Sequence, residues 1–371
     1  MKEVVLKTEL HRFKNCREFA EAFALGGGDF IFTIRPIYEK YFAPLGLPLK
    51  HLFMEDYGAG EPTDVMTDEI IAAVTALGFE RLIAVGGGSI VDIAKVAAAS
   101  GGRTTDELYA DPEGIRREAG LVIVPTTCGT GSEVTNISII NRTRIGTKMG
   151  LVADALFADQ AVLIPELLHD LPFEVFAASS IDALVHAVES ALSPKATDFT
   201  KLLSYKAAEI ILKNYLEIAA KGRAARLSLL DSFLTAANYA GIAFGTAGCA
   251  AVHALSYPLG GKYHVPHGES NYAVFTGVMK NYIEVKEDGE IAVMMKFIAD
   301  LLGCPKDEAW EALEGLLNKI LIKKPLSAYG VKEEELEEFT DSVVQRQQRL
   351  MANNFVPLDR DRVLKIYMEL Y

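Results

Sequence analysis

An α/β domain followed by an all-helical domain is the fold class this sequence predicts, on three observations. Short apolar, β-branched runs alternate with helix-periodic segments through the first 165 residues, the pattern of parallel α/β layering. After Pro165 and Pro172 strand signals nearly vanish and long helical stretches take over. A chain of 371 residues, 50% hydrophobic and 23% charged, is long and apolar enough for two cores. The boundary is expected near Pro172, giving domains of residues 1–172 and 173–371.

In chain order, FIFTI (Phe30–Ile34) reads as a buried strand, Thr67–Leu77 as a helix and RLIAV (Arg81–Val85) as another strand. Ile90–Ala99 has helical spacing, and LVIV (Leu121–Val124) is a third clear strand. In the second half the spacing predicts helices over Glu174–Leu192, Phe199–Ala219, Ala224–Gly241, Met294–Leu302, Lys306–Leu321 and Lys332–Gln348. Ser232–Gly261 contains no Asp, Glu, Lys or Arg, and its length alone would suit a membrane span. Asn238, Tyr239, His253 and Pro258 interrupt it, and it lacks the bulky aliphatic content of a lipid-facing helix. It is expected to be a buried helix pair, with Gly241, Gly245 and Gly248 letting backbones approach closely.

A net charge of −13 excludes nucleic acid as a partner, because phosphate binding needs clustered Lys and Arg. The N-terminal MKEVVLKTELHRF breaks every apolar run with charge, so no signal peptide is expected. Cys16, Cys128, Cys249 and Cys304 are scattered, which suits a reducing cytoplasm rather than a disulfide framework. No membrane association is expected, and a homodimer is the ordinary expectation.

Two turns carry the features of a phosphate cradle. RLIAV runs into GGGSIVDIAK, residues 86–95, where glycines admit a sharp turn and expose backbone N–H groups to an anion. Ser89 is expected to cap the helix that follows. The pattern is not G-x-G-x-x-G. The second turn, VIVPTTCGTGSEVT at residues 122–135, offers hydroxyls from Thr126, Thr127, Thr130 and Ser132. Two such turns at successive strand ends favour one dinucleotide crossing the sheet edge.

Asp182, His186, His253 and His267 are the strongest chemical signal. One carboxylate and three of the seven histidines fall within 86 residues, with no cysteine in ligand spacing nearby. In SSIDALVHAVESAL the Asp and His are four apart, on one face of a helix. Imidazoles plus one carboxylate suit Fe2+ or Zn2+ rather than Ca2+ or Mg2+, and the scarcity of thiolates points to a catalytic site.

GGGSIVDIAK, PTTCGTGSEVT, SIDALVHAVES and the His253–His267 segment, in this order, resemble the iron-containing alcohol dehydrogenases over essentially the whole chain. The resemblance implies a Rossmann-like first domain, a helical second domain of the dehydroquinate synthase-like type, and a metal between them. It implies NAD as cofactor, held by Gly87, Gly88, Ser89 and Asp92 in the first turn and Thr126, Thr127 and Thr130 in the second. Lys148 matches a lysine near the ribose, and Asp182, His186, His253 and His267 match the metal ligands, with Fe2+ favoured over Zn2+. VPTTCGTGSEVTN, NYAGIAFG, AVHALSYPLGG and YHVPHGE are most similar to members acting on 4-hydroxybutyrate, which implies its interconversion with succinate semialdehyde. Other short primary alcohols, a dehydroquinate synthase-like lyase and a non-catalytic metal protein are the alternatives.

Three positions depart from the family pattern. Ile34 stands where an acidic residue reads the adenosine ribose, with Arg35 beside it, which leaves NAD against NADP open. Glu61 replaces an Asn-Pro pair, and Tyr257 replaces a histidine four residues after His253. A proton relay through that histidine does not transfer, so His264 and Tyr257 are the candidates for it. A hydroxy-acid substrate also needs a partner for its carboxylate. Lys262 and His264 are placed for that role by position, with Arg142 and Arg144 as alternatives from the first domain.

Overall fold

The computed structural model describes residues 3–117 and 119–371. Leu6–Leu171 form one compact unit, and Pro172–Tyr371, joined by the N-terminal residues through Val5, form the other. Residues 3–5 thus group with the helical unit rather than the α/β half. Their backbone is held by the helical unit, where Val5 N–H donates to Thr246 (3.1 Å) and the Thr197 hydroxyl donates to the Glu3 carbonyl (2.8 Å).

The first unit runs β1 (Glu9–Arg12), α1 (Cys16–Ala22), β2 (Asp29–Thr33), the single turn α2 (Arg35–Ile37), β3 (Lys50–Phe53), α3 (Asp64–Leu77), β4 (Arg81–Gly86), α4 (Gly88–Ala99), α5 (Thr105–Ala110) and β5 (Gly120–Pro125). It continues through β6 (Ile137–Arg142), β7 (Thr147–Val152) and β8 (Gln160–Leu163). Six strands form a parallel sheet in the order β1-β8-β5-β4-β2-β3. Phe30, Phe32, Leu82, Ala84, Leu121 and Ile123 line the face packed by Ile70 and Val74 of α3 and Ile90 and Ile93 of α4. Strands covered on both faces read as unbroken apolar runs, which is why FIFT, LIAV and LVIV were legible. Thr63 starts α3 as N-cap, accepting from Met66 N–H at 3.1 Å.

The antiparallel hairpin β6–β7, with Ile137 opposite Val152 and Arg142 opposite Thr147, corrects the expectation of a purely alternating α/β layer. Asp64 anchors it. Its buried carboxylate accepts from the Thr143 hydroxyl (2.6 Å), Thr143 N–H (3.2 Å) and Arg144 N–H (3.2 Å).

The second unit consists of α6 (Phe173–Leu192), α7 (Asp198–Lys221), α8 (Leu230–Ala247), α9 (Ala251–Tyr263), α10 (His267–Val285), α11 (Glu290–Leu302), α12 (Ala309–Ile320), α13 (Leu336–Arg346), α14 (Gln348–Met351) and α15 (Arg360–Leu370). The stretch predicted as one helix over Ala224–Gly241 is instead a 3-10 turn (Arg223–Ser228) followed by α8. The uncharged segment Ser232–Gly261 is a helix pair, α8 and α9, bent by 106° at Gly248 and mostly buried. Helix α6 is apolar and long enough to cross a membrane, but 89% of that window is buried inside the protein, as in a core helix.

Candidate functional site

Helix α6 supplies two of the four predicted ligands from its buried centre, because Asp182 and His186 lie one turn apart on one face. His253 comes from the first turn of α9 and His267 opens α10. Two features bring α10 onto α6. His264, with φ +54°, ends α9 in a left-handed turn, and Gly268 presses on α6. A Cβ at Gly268 would sit 2.0 Å from the Ala178 carbonyl oxygen, so only glycine permits this approach.

Asp182, His253 and His267 offer ligand atoms that all lie within 4.8 Å of one another, and His186 adjoins this set through His253. His253 Nε2 lies 3.0 Å from His186 Nε2, and Asp182 Oδ1 lies 3.7 Å from His267 Nε2 and 3.8 Å from His253 Nε2. Metal–ligand bonds of about 2.0–2.1 Å in a tetrahedral shell put neighbouring ligand atoms roughly 3.3 Å apart, so the spacing of Asp182, His253 and His267 suits one divalent ion, with His186 beside His253 as the fourth candidate. Asp182, His186 and His253 are buried, while His267 keeps 35% of its side chain exposed. Burial alone would raise the Asp182 carboxyl, but His186, His267, His253 and the Asn271 amide outweigh it and hold it below the usual range. The His186 ring stacks on Phe244 at 4.3 Å, which limits its rotation.

Three residues complete the cluster that sequence reasoning did not single out. Glu189 accepts His253 Nδ1–H at 2.6 Å, together with Val252 N–H (2.6 Å) and Ala250 N–H (3.1 Å). A donor at Nδ1 leaves the lone pair of a neutral ring on Nε2, facing the other ligands. Asn271 donates to Asp182 Oδ1 at 2.7 Å, and its own Oδ1 is buried without a hydrogen-bond partner among the described residues. Cys249 brings its thiol into a set with His186 and His253 whose ligand atoms all lie within 4.8 Å of one another, which corrects the expectation of no nearby cysteine. The usable signals were Glu189 one helical turn beyond His186 and Asn271 one turn beyond His267. Cys249 lies in the break before α9, where only the bend of the helix pair reveals it.

The other predicted residues of this unit separate. Tyr257 is one turn beyond His253, with its ring 6.4 Å from that of His267. His264 is exposed on the turn that delivers His267. Lys262 faces away to Glu335 (2.7 Å) and Glu338 (3.1 Å), so its charge is already matched. That corrects its expected role as partner of a substrate carboxylate. Arg142 and Arg144 are likewise engaged by Asp64, Asp106 and, for Arg144, Asp68.

In the first unit, Gly86 pairs with Pro125 in register, so both predicted turns leave the sheet at the same edge. They touch: a Cβ on Gly87 would meet the Thr127 methyl at 3.4 Å, and one on Gly88 the Thr130 methyl at 3.0 Å. Thr126 N–H donates to the Gly86 carbonyl at 3.0 Å. Ser89 does not cap α4, since its hydroxyl donates to the Gly60 carbonyl at 2.8 Å. The helix N-terminus therefore has no side-chain cap, which suits an anion. Asp92 does not face that turn. Its oxygens accept from the Ser132 hydroxyl (2.9 Å) and Ile139 N–H (3.1 Å), locking the second loop to α4. Burial pushes its carboxyl up to about 6 against the pull of Lys95. Lys148 pairs with Glu61 at 2.6 Å, which accounts for the acidic residue at that position.

Residues 22–165 match the family described as iron-containing alcohol dehydrogenase, and residues 176–371 match the C-terminal part of the Fe-containing alcohol dehydrogenase family. The chain belongs to the iron-containing alcohol dehydrogenases. It is 44% identical over 371 residues, all of both chains, to the 4-hydroxybutyrate dehydrogenase of Clostridium kluyveri. It is 36% identical over 304 residues to a long-chain-alcohol dehydrogenase of Geobacillus thermodenitrificans, covering 78% of this chain and 74% of that one. Among solved structures, the sulfoacetaldehyde reductase of Bifidobacterium kashiwanohense, in complex with NAD+, superposes with a TM-score of 0.86 at 22% identity, covering 100% of this chain and 98% of that one. Membership of the iron-containing alcohol dehydrogenases implies NAD and a divalent metal, and both candidate sites offer groups of the right chemistry.

Proposed function

We propose that the protein interconverts 4-hydroxybutyrate and succinate semialdehyde with NAD, and that Asp182, His186, His253 and His267 hold the divalent ion. One carboxylate and two imidazoles within 4.8 Å of one another, with His186 Nε2 3.0 Å from His253 Nε2, support the ion site. The full-length likeness to the Clostridium kluyveri enzyme supports the substrate. Fe2+ is the metal favoured by the family, and Zn2+ is accommodated by the same ligands.

A divalent ion held there would supply Lewis acidity toward the alcohol oxygen, and bound NAD would supply the hydride acceptor. The chain's own contribution is to hold, dry and deprotonate. Glu189 and Asn271 orient His253 and Asp182 through hydrogen bonds of 2.6 and 2.7 Å. Tyr257 is kept protonated by burial, so it serves as a hydrogen-bond donor beside His267 rather than as a base. The passage of one proton to solvent falls to His264, the exposed imidazole between two ligand-bearing helices. Gly87, Gly88, Ser89, Thr126, Thr127 and Thr130 hold the dinucleotide phosphates, Asp92 braces the second loop, and Lys148 lies toward the ribose. NAD is favoured over NADP because Arg35 is paired with Asp56 at 3.1 Å and lies over Phe53, so it does not offer its charge to a 2′-phosphate. The enzyme is proposed to act in the cytoplasm as a homodimer.

A panel of C3 to C5 aldehydes, with and without a terminal carboxylate, assayed with NADH and NADPH after metal loading, tests this reading. Succinate semialdehyde with NADH is expected to give the highest kcat/KM. A preference for uncharged aldehydes would overturn the substrate assignment.

A further inference from the structure

Lys95 lies on α4, about two turns past Gly88, and is fully buried. A buried ammonium is costly unless its charge and each of its N–H donors are matched. All three donors of Lys95 are matched: Ser132 Oγ accepts at 2.7 Å, Thr135 Oγ1 at 3.0 Å and the Ile137 carbonyl at 2.8 Å. Burial pulls the ammonium down to about 8, against the opposing carboxylates of Asp92 and Glu133, so it stays charged at neutral pH. No step proposed above uses this side chain, yet it is a fully satisfied charge inside the α/β unit.

Its three acceptors all belong to the segment that leaves the second nucleotide turn. Ser132 directly follows Gly131, and its N–H donates back to Thr130 Oγ1 at 3.3 Å. The Ser132 hydroxyl accepts from Lys95 and donates to Asp92 Oδ1 at 2.9 Å. Ile137 opens β6, whose partner β7 carries Lys148. The other end of α4 is the first nucleotide turn, where a Cβ on Gly88 would meet the Thr130 methyl at 3.0 Å. One ammonium therefore sets how the second turn and the β6–β7 hairpin stand against the helix that begins in the first turn. Its tetrahedral head sends three bonds in three directions, which neither a thioether nor a planar guanidinium reproduces.

We infer that Lys95 is a positioning residue for the dinucleotide: without touching it, the ammonium fixes the spacing between the turn that begins α4 and the turn that ends at Ser132. The inference rests on the NAD reading above and extends it to a residue outside the cofactor-binding set. The test titrates NADH by fluorescence into the full-length parent, Thr135→Val, Ser132→Ala, Lys95→Met and the double variant Lys95→Met/Thr135→Val, with urea unfolding and metal content measured on the same samples. Lys95→Met is expected to raise the NADH Kd by about 10- to 100-fold, and Thr135→Val and Ser132→Ala by about 3- to 10-fold each. Metal content should match the parent, because the proposed ligands lie in the other unit. Lys95→Met also strips Asp92 and Glu133 of their counter-charge, so some stability is lost with it. The double variant separates the two effects. Thr135→Val should add less than about twofold to the NADH defect of Lys95→Met, because the bond it removes is already gone. Lower urea stability with NADH affinity within about twofold of the parent would make Lys95 purely structural and overturn the inference. A Thr135→Val effect that multiplies in full onto Lys95→Met overturns it as well. Were Lys95→Met not to fold, Thr135→Val and Ser132→Ala decide, and parental affinity in both overturns it. A parent that does not bind NADH overturns the cofactor reading together with this inference, whereas a parent that binds it and variants that match it overturn the Lys95 assignment alone.

Discussion

His253 donates its Nδ1–H to Glu189 at 2.6 Å in a buried pair, and this contact fixes which nitrogen faces His186 and Asp182. Both oxygens of the Glu189 carboxylate are engaged, because Val252 N–H and Ala250 N–H also donate to it. In Glu189→Gln one of these donors must meet an NH2 group. Metal affinity is expected to fall by about 10- to 100-fold with the fold retained, as measured by competition with a chelator. An unchanged affinity would show that Glu189 is only a helix-terminus partner.

Gly268 is the second lever on the same site. A methyl there meets the Ala178 carbonyl oxygen at 2.0 Å and Asp182 Cβ at 3.2 Å, so α10 must back away from α6. Gly268→Ala should cost about 1–3 kcal/mol of stability and loosen His267 from the other ligands. Denaturant unfolding and metal content per chain measure the two effects, and normal values for both would refute the close-approach argument.

The nucleotide turns should respond independently of the metal. Gly88→Val adds bulk where a Cβ already meets Thr130 at 3.0 Å and where α4 has no side-chain cap. NADH affinity should fall by at least about tenfold, or roughly 1.4 kcal/mol, with metal content near that of the parent. Fluorescence titration of NADH checks this, and unaltered binding would leave the turn a purely structural feature.

Much of the candidate site was legible because the sequence displays its proposed ligands as rare residue types: His186, His253 and His267 are three of only seven histidines, with Asp182 one turn before His186. The parallel strands were legible where both faces are covered and the apolar run is unbroken. What the sequence hid depends on contacts between distant segments. The β6–β7 hairpin alternates buried and part-buried residues in ISIINR, a pattern too short to separate from a loop. Ser89 looks like a cap until Gly60 is seen beside it, and Lys262 looks like a substrate cation until Glu335 and Glu338 close on it. Glu189 and Asn271 are ordinary helix residues in sequence, and become significant only because α9 and α10 pack against α6.

Asp64 provides a test of stability against pH in the α/β unit. Burial would raise its carboxyl, but the Thr143 hydroxyl and the Arg144, Thr143 and Val65 N–H groups outweigh it and hold it below the usual aspartate value. A depressed folded-state pKa contributes stability that is fully present above the unfolded value, about 3.9, and is lost as pH falls through the folded value. Asp64→Asn should destabilise the protein by about 1–3 kcal/mol at neutral pH, with the difference from the parent narrowing below about pH 4. Urea unfolding at pH 7 and pH 3.5 would reveal this, and a gap that widens on acidification would contradict the assignment.

The most direct measurement is bound divalent metal per chain, by elemental analysis of the parent and of His267→Ala, beside NADH affinity in the same samples. The parent is expected to hold one Fe2+ or Zn2+ per chain. His267→Ala should lose most of it and nearly all turnover of succinate semialdehyde, with NADH binding intact because His267 lies in a different unit from the nucleotide turns. A His267→Ala protein with a full metal complement and parental turnover would contradict the account.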